Sequence, residues 1–288
     1  MASEPKVSFE FFPPHDEKSE DRLWTVMEAL APLRPSFFSV TYGAGGSTRS
    51  RTDRIVRRIH ADSPVSPAAH LTCVGATTAE VDELAQSWWR DGIRQIVALR
   101  GDPPKGETAY RPHPDGYENA AALVEGLRKI GDFDISVAAY PECHPDSSST
   151  DADIDNLKRK VDNGASRAIT QYFFENEDFL RFRDRAAQAG IRVPLVPGIL
   201  PVTNFARVVD FSERCGATVP GWMAEMFEGL DADPETRNLI AATVAVEQCE
   251  ALQSEGVNHF HFYTLNRAAL TKAICWRLGV RPLAEKAA

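Results

Sequence analysis

The chain has 288 residues, 43% hydrophobic and 25% charged, with 32 Lys and Arg against 41 Asp and Glu for a net charge of −9. That length buries a sizeable core without help from disulfide or metal, and it fits a single domain spanning 1–288. The acidic balance excludes a surface built for nucleic acid or an anionic membrane, since both require basic patches.

In chain order, the first apolar run is VSFEFF (7–12), which reads as a strand. Leu23, Val26, Met27 and Leu30 follow at helical spacing. FFSVTYG (37–43) is the second strand-like run and leads into a glycine-rich turn, VTYGAGGST (40–48), whose backbone amides suit a phosphate or a flat ring. RIVRRIH (54–60) is the one dense basic stretch and reads as the wet face of a helix. AAHLTCVG (68–75) precedes a capping box, Thr77 with Glu80, that opens the helix VDELAQSWW. QIVALRGD (95–102) is followed by a helix over 117–130, then ISVAAYPE (135–142) and a Ser-rich loop over 144–153. Asp153, Asn156 and Lys160 form a polar stripe on the next helix, beside an apolar stripe of Ile154, Leu157 and Val161. RAITQYFF (167–174), a helix over 178–189 and RVPLVPGI (192–199) come next. Extra helical material at 220–230 and a long helix at 234–255 precede the last run, HFHFYTLN (259–266), and a final helix at 267–278.

Eight strands alternating with helices predict a parallel sheet, and the count predicts a (β/α)8 barrel with extra helical material before the last strand. The N-terminal MASEPKVSFE lacks a signal layout and no run reaches membrane-spanning length. Five widely spaced cysteines without a C-x-x-C suit reduced thiols, so a cytosolic protein is expected.

Polar residues end most of the strand-like runs: Glu10, Thr41, His70, Asp102, Tyr140 with Glu142, Gln171, and Asn266 with Arg267. In a barrel these converge on one face, where active sites are built. Glu10 lies among aromatics in F-E-F-F, so desolvation is expected to raise its pKa and let it act as a general acid. Asp102 is held at the mouth by Gly101 and Pro103-Pro104. His70 has no partner at metal-ligand spacing and reads as a structural or cofactor-packing histidine; no metal is expected. On periodicity alone, the Asp153–Asn156–Lys160 stripe reads either as a solvated face or as a site for ribose and pyrophosphate.

Several long segments carry a resemblance: SFEFFPP (8–14), SVTYGAGGSTR (39–49), LRGDPP (99–104), AAYPECHP (138–145), LKRKVDNGASRAITQYFF (157–174), VPGILPVTNF (196–205), WMAEMFEGLD (222–231) and HFHFYTLNRA (259–268). With these the chain resembles the bacterial methylenetetrahydrofolate reductases, in their catalytic-domain-only form. The resemblance implies a barrel holding FAD. It also implies reduction of 5,10-methylenetetrahydrofolate to 5-methyltetrahydrofolate by NADH, or NADPH, in two hydride transfers through the flavin. Glu10 matches the family's catalytic glutamate, which supplies the proton that opens the methylene bridge, and Asp102 matches an aspartate between flavin and pterin. Flavin contacts are implied at Thr41, His70, Arg100, Gly101, Asp102, Tyr140, His144, Asp153, Asn156, Arg159 and Lys160. Folate contacts are implied at Asp102, Gln171 and Arg267, with Phe211 where nicotinamide and folate bind in turn. One position departs from the enteric pattern N-F-x-Q: here it reads Asn204-Phe205-Ala206-Arg207. Arg207 donates but cannot accept hydrogen bonds, and it is a candidate for the folate's glutamate tail. A homo-oligomer, dimer or tetramer, is implied, with Trp222 to Phe227 a candidate contact or lid. Control by S-adenosylmethionine through a regulatory extension is not expected. Two alternatives stand beside this reading: direct hydride transfer without flavin, and a folate-binding barrel subunit without turnover of its own.

Overall fold

The computed structural model describes residues 4–42, 48–103, 106–107 and 109–282. The centre of the glycine-rich turn, residues 43–47, lies outside them. Eight parallel strands close into a barrel in sequence order: β1 (Lys6–Phe11), β2 (Phe38–Val40), β3 (Pro67–Thr72), β4 (Gln95–Leu99), β5 (Asp134–Ala139), β6 (Arg167–Tyr172), β7 (Leu195–Ile199) and β8 (His259–Tyr263). Closure sets Lys6 opposite His259 and Glu10 opposite Tyr263. The expected (β/α)8 barrel is present.

The sheath consists of α1 (Glu17–Leu30), α2 (Arg49–Asp62), α3 (Thr78–Asp91), α4 (Ala120–Ile130), α5 (Thr150–Asp162), α6 (Asn176–Gln188), α7 (Phe205–Cys215), α8 (Gly221–Phe227), α9 (Pro234–Ser254) and α10 (Ala268–Arg277). The extra helical material is α8, between α7 and α9. Leu23, Met27 and Leu30 are buried as the α1 stripe predicts, and the Thr77–Glu80 capping box opens α3. The basic stretch in α2 is solvated as expected: Ile55, Val56 and Ile59 are buried, while Arg54 and Arg58 pair with Glu20 and Arg57 with Asp53. Two boundaries differ. The Ser-rich segment is a loop only to Ser149, whose hydroxyl accepts the Ala152 N–H at 3.1 Å and starts α5 four residues inside the expected loop. Likewise α4 starts at Ala120, because Asn119 caps it and Tyr117 turns its hydroxyl to Asp82 at 2.6 Å instead.

Strand alternation separates two apolar layers. Val7, Phe9, Phe11, Phe260 and Phe262 point outward into the main core between sheet and helices. A smaller cluster of Phe37, Ala68, Val97, Ile169 and Val196 fills the barrel interior. Beneath it, at the strand N-termini, Arg167 pairs with Asp134 and donates to Ser136 Oγ at 3.1 Å. The C-terminal mouth is thus the end left for polar chemistry. Among the described residues no helix is long and apolar enough to cross a membrane.

Candidate functional site

Glu10 is the centre of the mouth. The alternation that sends Phe9 and Phe11 outward sends Glu10 inward, where its side chain is 16% exposed. His70 Nε2, from β3, lies 3.3 Å from Glu10 Oε2 but out of hydrogen-bond alignment. His261 Nε2, from β8, lies 3.5 Å from the same oxygen. The other ring nitrogen of His261, Nδ1, is 2.8 Å from Ser8 Oγ, and Ser8 Oγ is 3.3 Å from His259 Nε2. The main chain of Glu10 is held as well: Thr264 donates to its carbonyl through Oγ1 at 2.6 Å.

These partners overturn the expectation that Glu10 keeps its proton near neutral pH. Burial does raise the carboxyl, but the hydrogen bond from His261 and the nearby imidazole of His70 outweigh it, and the pKa falls from 4.5 to about 2. Sequence neighbours misled here: the flanking phenylalanines face the helices, and what Glu10 meets inside the barrel is imidazole.

Around Glu10 the structure gathers the other candidates on the same face. Thr41 follows β2 and donates its N–H to the Phe11 carbonyl at 2.9 Å. Arg100 and Gly101 follow β4, with the Arg100 guanidinium 2.8 Å from Asp146 and 4.7 Å from the Tyr110 ring centroid. Gly101 has φ +88, and a Cβ there would sit 2.5 Å from Val74 Cγ1, so only glycine fits. Asp102 is exposed and makes no hydrogen bond or ion pair among the described residues; its charge joins burial in raising the Tyr140 phenol well above its ordinary value. Tyr140 packs edge-on against His144, centroids 4.6 Å apart. The His144 N–H donates to Asp153 Oδ2 at 2.8 Å, and burial with the Arg100 charge lowers the His144 pKa.

The α5 stripe is split in use. Lys160 turns inward, donates to the Ala138 carbonyl at 2.7 Å, and is pushed down to about 8 by burial. Asn156 is half-buried and Arg159 exposed. Gln171 sits where the β6–β7 register shifts, its Oε1 accepting the Tyr172 N–H at 3.0 Å. Bulges of this kind recur beside active sites. On α7, Phe211 is exposed and stacks on Tyr172 at 5.9 Å. Arg207 and Arg267 are exposed at the starts of α7 and α10. Asp102, Arg207 and Arg267 therefore ring the mouth without touching the Glu10 cluster.

Sequence reasoning missed His261, Ser8 and His259. The signal was present in H-F-H-F-Y (259–263), where period-2 alternation puts both histidines on the inner face. Two strand-end residues proved structural. Asn266 brackets Phe12, accepting its N–H at 2.9 Å and donating to its carbonyl at 3.0 Å. Glu142 accepts from Thr218.

The family model described as methylenetetrahydrofolate reductase matches residues 1–279. The 5,10-methylenetetrahydrofolate reductase of Escherichia coli K12 is 52% identical over 276 residues, covering 96% of this chain and 91% of the relative. The enzyme of the same name from Pectobacterium carotovorum gives the same identity and coverage. An Arabidopsis thaliana methylenetetrahydrofolate reductase (NADH) is 34% identical, covering 95% of this chain and 48% of that protein. Among solved structures, an uncharacterized Clostridium thermocellum protein that binds two copies of 5-methyl-5,6,7,8-tetrahydrofolic acid superposes with TM-score 0.62 at 14% identity, over 96% of this chain and 95% of that one. That likeness shows a shared fold. The match over residues 1–279 and the 52% identity to enterobacterial reductases establish more: the chain is an oxidoreductase and belongs to the methylenetetrahydrofolate reductase family.

Proposed function

We propose that the chain reduces 5,10-methylenetetrahydrofolate to 5-methyltetrahydrofolate with NADH, holding FAD at the barrel mouth and admitting nicotinamide and folate in turn. The same reading makes it a cytosolic homo-oligomer. The observation that carries it is Glu10, held between His70 and His261 and facing the C-terminal mouth of the barrel.

The residues at the ends of β2–β5 suit FAD. The Thr72 hydroxyl is buried beside Gly101 and lacks a hydrogen-bond partner among the described residues, which supports a ligand at that spot. Arg100 is held in place by Asp146 and Tyr110, and Arg159 leaves a cation on the open side of α5, both suited to a pyrophosphate. Bound there, FAD supplies the hydride chemistry between nicotinamide and folate. Phe211 offers an exposed ring for either planar partner, and Asp102 an acceptor for the pterin's N–H groups.

Glu10 then works as the delivering end of a proton-sharing set. Ionised in the free chain and set beside His261 Nε2, it takes up a proton from solvent when the folate is bound and passes it to the folate nitrogen that leaves the methylene bridge. Ser8 fixes the orientation of the His261 ring at Nδ1, leaving Nε2 toward Glu10. The test is a visible spectrum of the purified protein before and after anaerobic NADH. A flavin spectrum that bleaches and then recovers on adding methylenetetrahydrofolate establishes both half-reactions. A protein that stays colourless and takes up no added FAD refutes the flavin reading.

A further inference from the structure

β8 leaves the sheet before the peptide groups at the end of β1 are all paired. Along β1 these groups face β2 and β8 in turn. Toward β2, the Phe9 N–H donates to the Phe37 carbonyl at 3.3 Å and the Phe11 carbonyl accepts from Thr41 at 2.9 Å. Toward β8, the Glu10 carbonyl accepts the Thr264 N–H at 3.3 Å and the Thr264 hydroxyl at 2.6 Å. Past Thr264 the chain turns away: Leu265 and Asn266 both take left-handed backbone, φ 50 and 54, before Arg267 opens α10. Phe12 is left with a donor and an acceptor facing a strand that has ended.

The Asn266 side chain supplies both partners. Its Oδ1 accepts the Phe12 N–H at 2.9 Å and its Nδ2 donates to the Phe12 carbonyl at 3.0 Å. A primary amide carries the same C=O and N–H as a peptide group, so it stands in for the missing stretch of β8. The left-handed backbone is part of this device, and asparagine is among the few residues besides glycine that tolerate it. The turn is closed on itself as well: the Asn266 N–H donates to Thr264 Oγ1 at 3.2 Å and the Arg267 N–H to the Thr264 carbonyl at 2.9 Å.

The bracket joins two parts of one site. Glu10 lies two residues before Phe12, and Arg267 follows Asn266 directly. The Arg267 side chain is exposed and makes no hydrogen bond or ion pair among the described residues, so its placement depends on its backbone. We infer that Asn266 is a positioning residue: by pairing with Phe12 it fixes the Arg267 backbone relative to Glu10, and so sets the spacing between the group that anchors the folate and the carboxyl that protonates it. The inference rests on the reading of Glu10 and Arg267 as folate contacts and does not involve the flavin. Releasing the bracket moves the anchor without removing it, and misplacing a bound reactant by about 1 Å costs up to about 10²-fold in rate.

The experiment compares wild type, Asn266→Gly, Arg267→Ala and the double variant. Glycine keeps the left-handed turn and removes only the amide, so the backbone conformation is not itself perturbed. Single-turnover stopped flow follows oxidation of the NADH-reduced protein by saturating methylenetetrahydrofolate, and the preceding reduction by NADH is timed in the same proteins. Calorimetry gives the affinity for 5-methyltetrahydrofolate. Asn266→Gly should slow the folate step by about tenfold or more and weaken folate several-fold, with reduction by NADH at the wild-type rate. In the Arg267→Ala background the same substitution should change either quantity by less than about twofold, because no anchor is left to misplace. Asn266→Asp keeps an acceptor for the Phe12 N–H but sets an anion against the Phe12 carbonyl, and should match the glycine variant.

Wild-type rates and affinity in Asn266→Gly overturn the inference. So does an equal loss in the two backgrounds, since Asn266 then acts without Arg267. Equal slowing of the NADH and folate steps also overturns it, as the mark of a generally loosened mouth. A normal folate step and affinity in Arg267→Ala refute the reading of Arg267 as a folate contact and remove the inference with it. A wild-type chain that binds no folate refutes the functional reading itself. In a protein that takes up no FAD, the calorimetric comparison of the four proteins decides alone.

Discussion

Glu10 gives a prediction whose size follows from the structure. Its carboxyl falls from 4.5 to about 2 in the folded chain. A group with a depressed folded pKa contributes stability above the unfolded pKa and loses it as pH falls through the folded one. At 1.36 kcal/mol per unit, the contribution near neutral pH is about 3 kcal/mol, and about 2 kcal/mol of it disappears between pH 5 and pH 3. With its side chain 16% exposed, solvent screening trims this only modestly. Glu10→Gln keeps the shape and removes the charge. The assay is urea unfolding of both proteins at half-unit steps from pH 5.5 to pH 3, followed by far-UV circular dichroism. Every other carboxylate titrates in both proteins, so the difference between the curves isolates Glu10. That difference should shrink by about 2 kcal/mol across the window. Parallel curves would show that Glu10 is not held ionised by His261 and His70, and would restore the picture of a carboxyl that stores its own proton.

Three further outcomes are expected. Glu10→Gln should leave reduction of bound flavin by NADH at the wild-type rate while slowing folate reduction by about 10²–10⁴-fold, as loss of a general acid does, which single-turnover stopped flow separates. Gly101→Ala should cost about 2 kcal/mol, because φ +88 is strained for alanine and its Cβ meets Val74 at 2.5 Å; thermal melting reads this, and an unchanged melting temperature would refute the close approach. Lys160, only 6% exposed, has a folded pKa of about 8 against 10.5, so its charged form is penalised in the fold. Stability should therefore rise from pH 8 toward pH 10.5 by up to about 3 kcal/mol more in wild type than in Lys160→Met, and equal slopes in denaturant titrations would contradict the inward placement.

The barrel was legible because its two periods are both written in the chain. Helices such as α1 and α3 announced themselves by apolar spacing and a capping box, and the strands by short greasy runs that end in a polar residue. Boundaries were less legible where a side chain bonded to backbone decides them, as Ser149 and Asn119 do at the starts of α5 and α4. The candidate site divides along the same line. That Glu10, His70 and Tyr140 share one end of the barrel follows from strand position alone. What Glu10 touches does not, because its partner His261 is 251 residues away and is brought near only when β8 closes on β1 in the register that sets Glu10 opposite Tyr263. The local context F-E-F-F suggested an apolar pocket, yet those rings belong to the other face of the strand. Applied consistently, alternation contains the correction: in both F-E-F and H-F-H-F-Y the phenylalanines form the outer layer, so the glutamate and the histidines share the inner one. The charge state of a residue inside a barrel is set by the inward residues of the other strands and not by its own chain neighbours. For Glu10, that converts an expected acid store into a carboxylate held ionised beside two imidazoles.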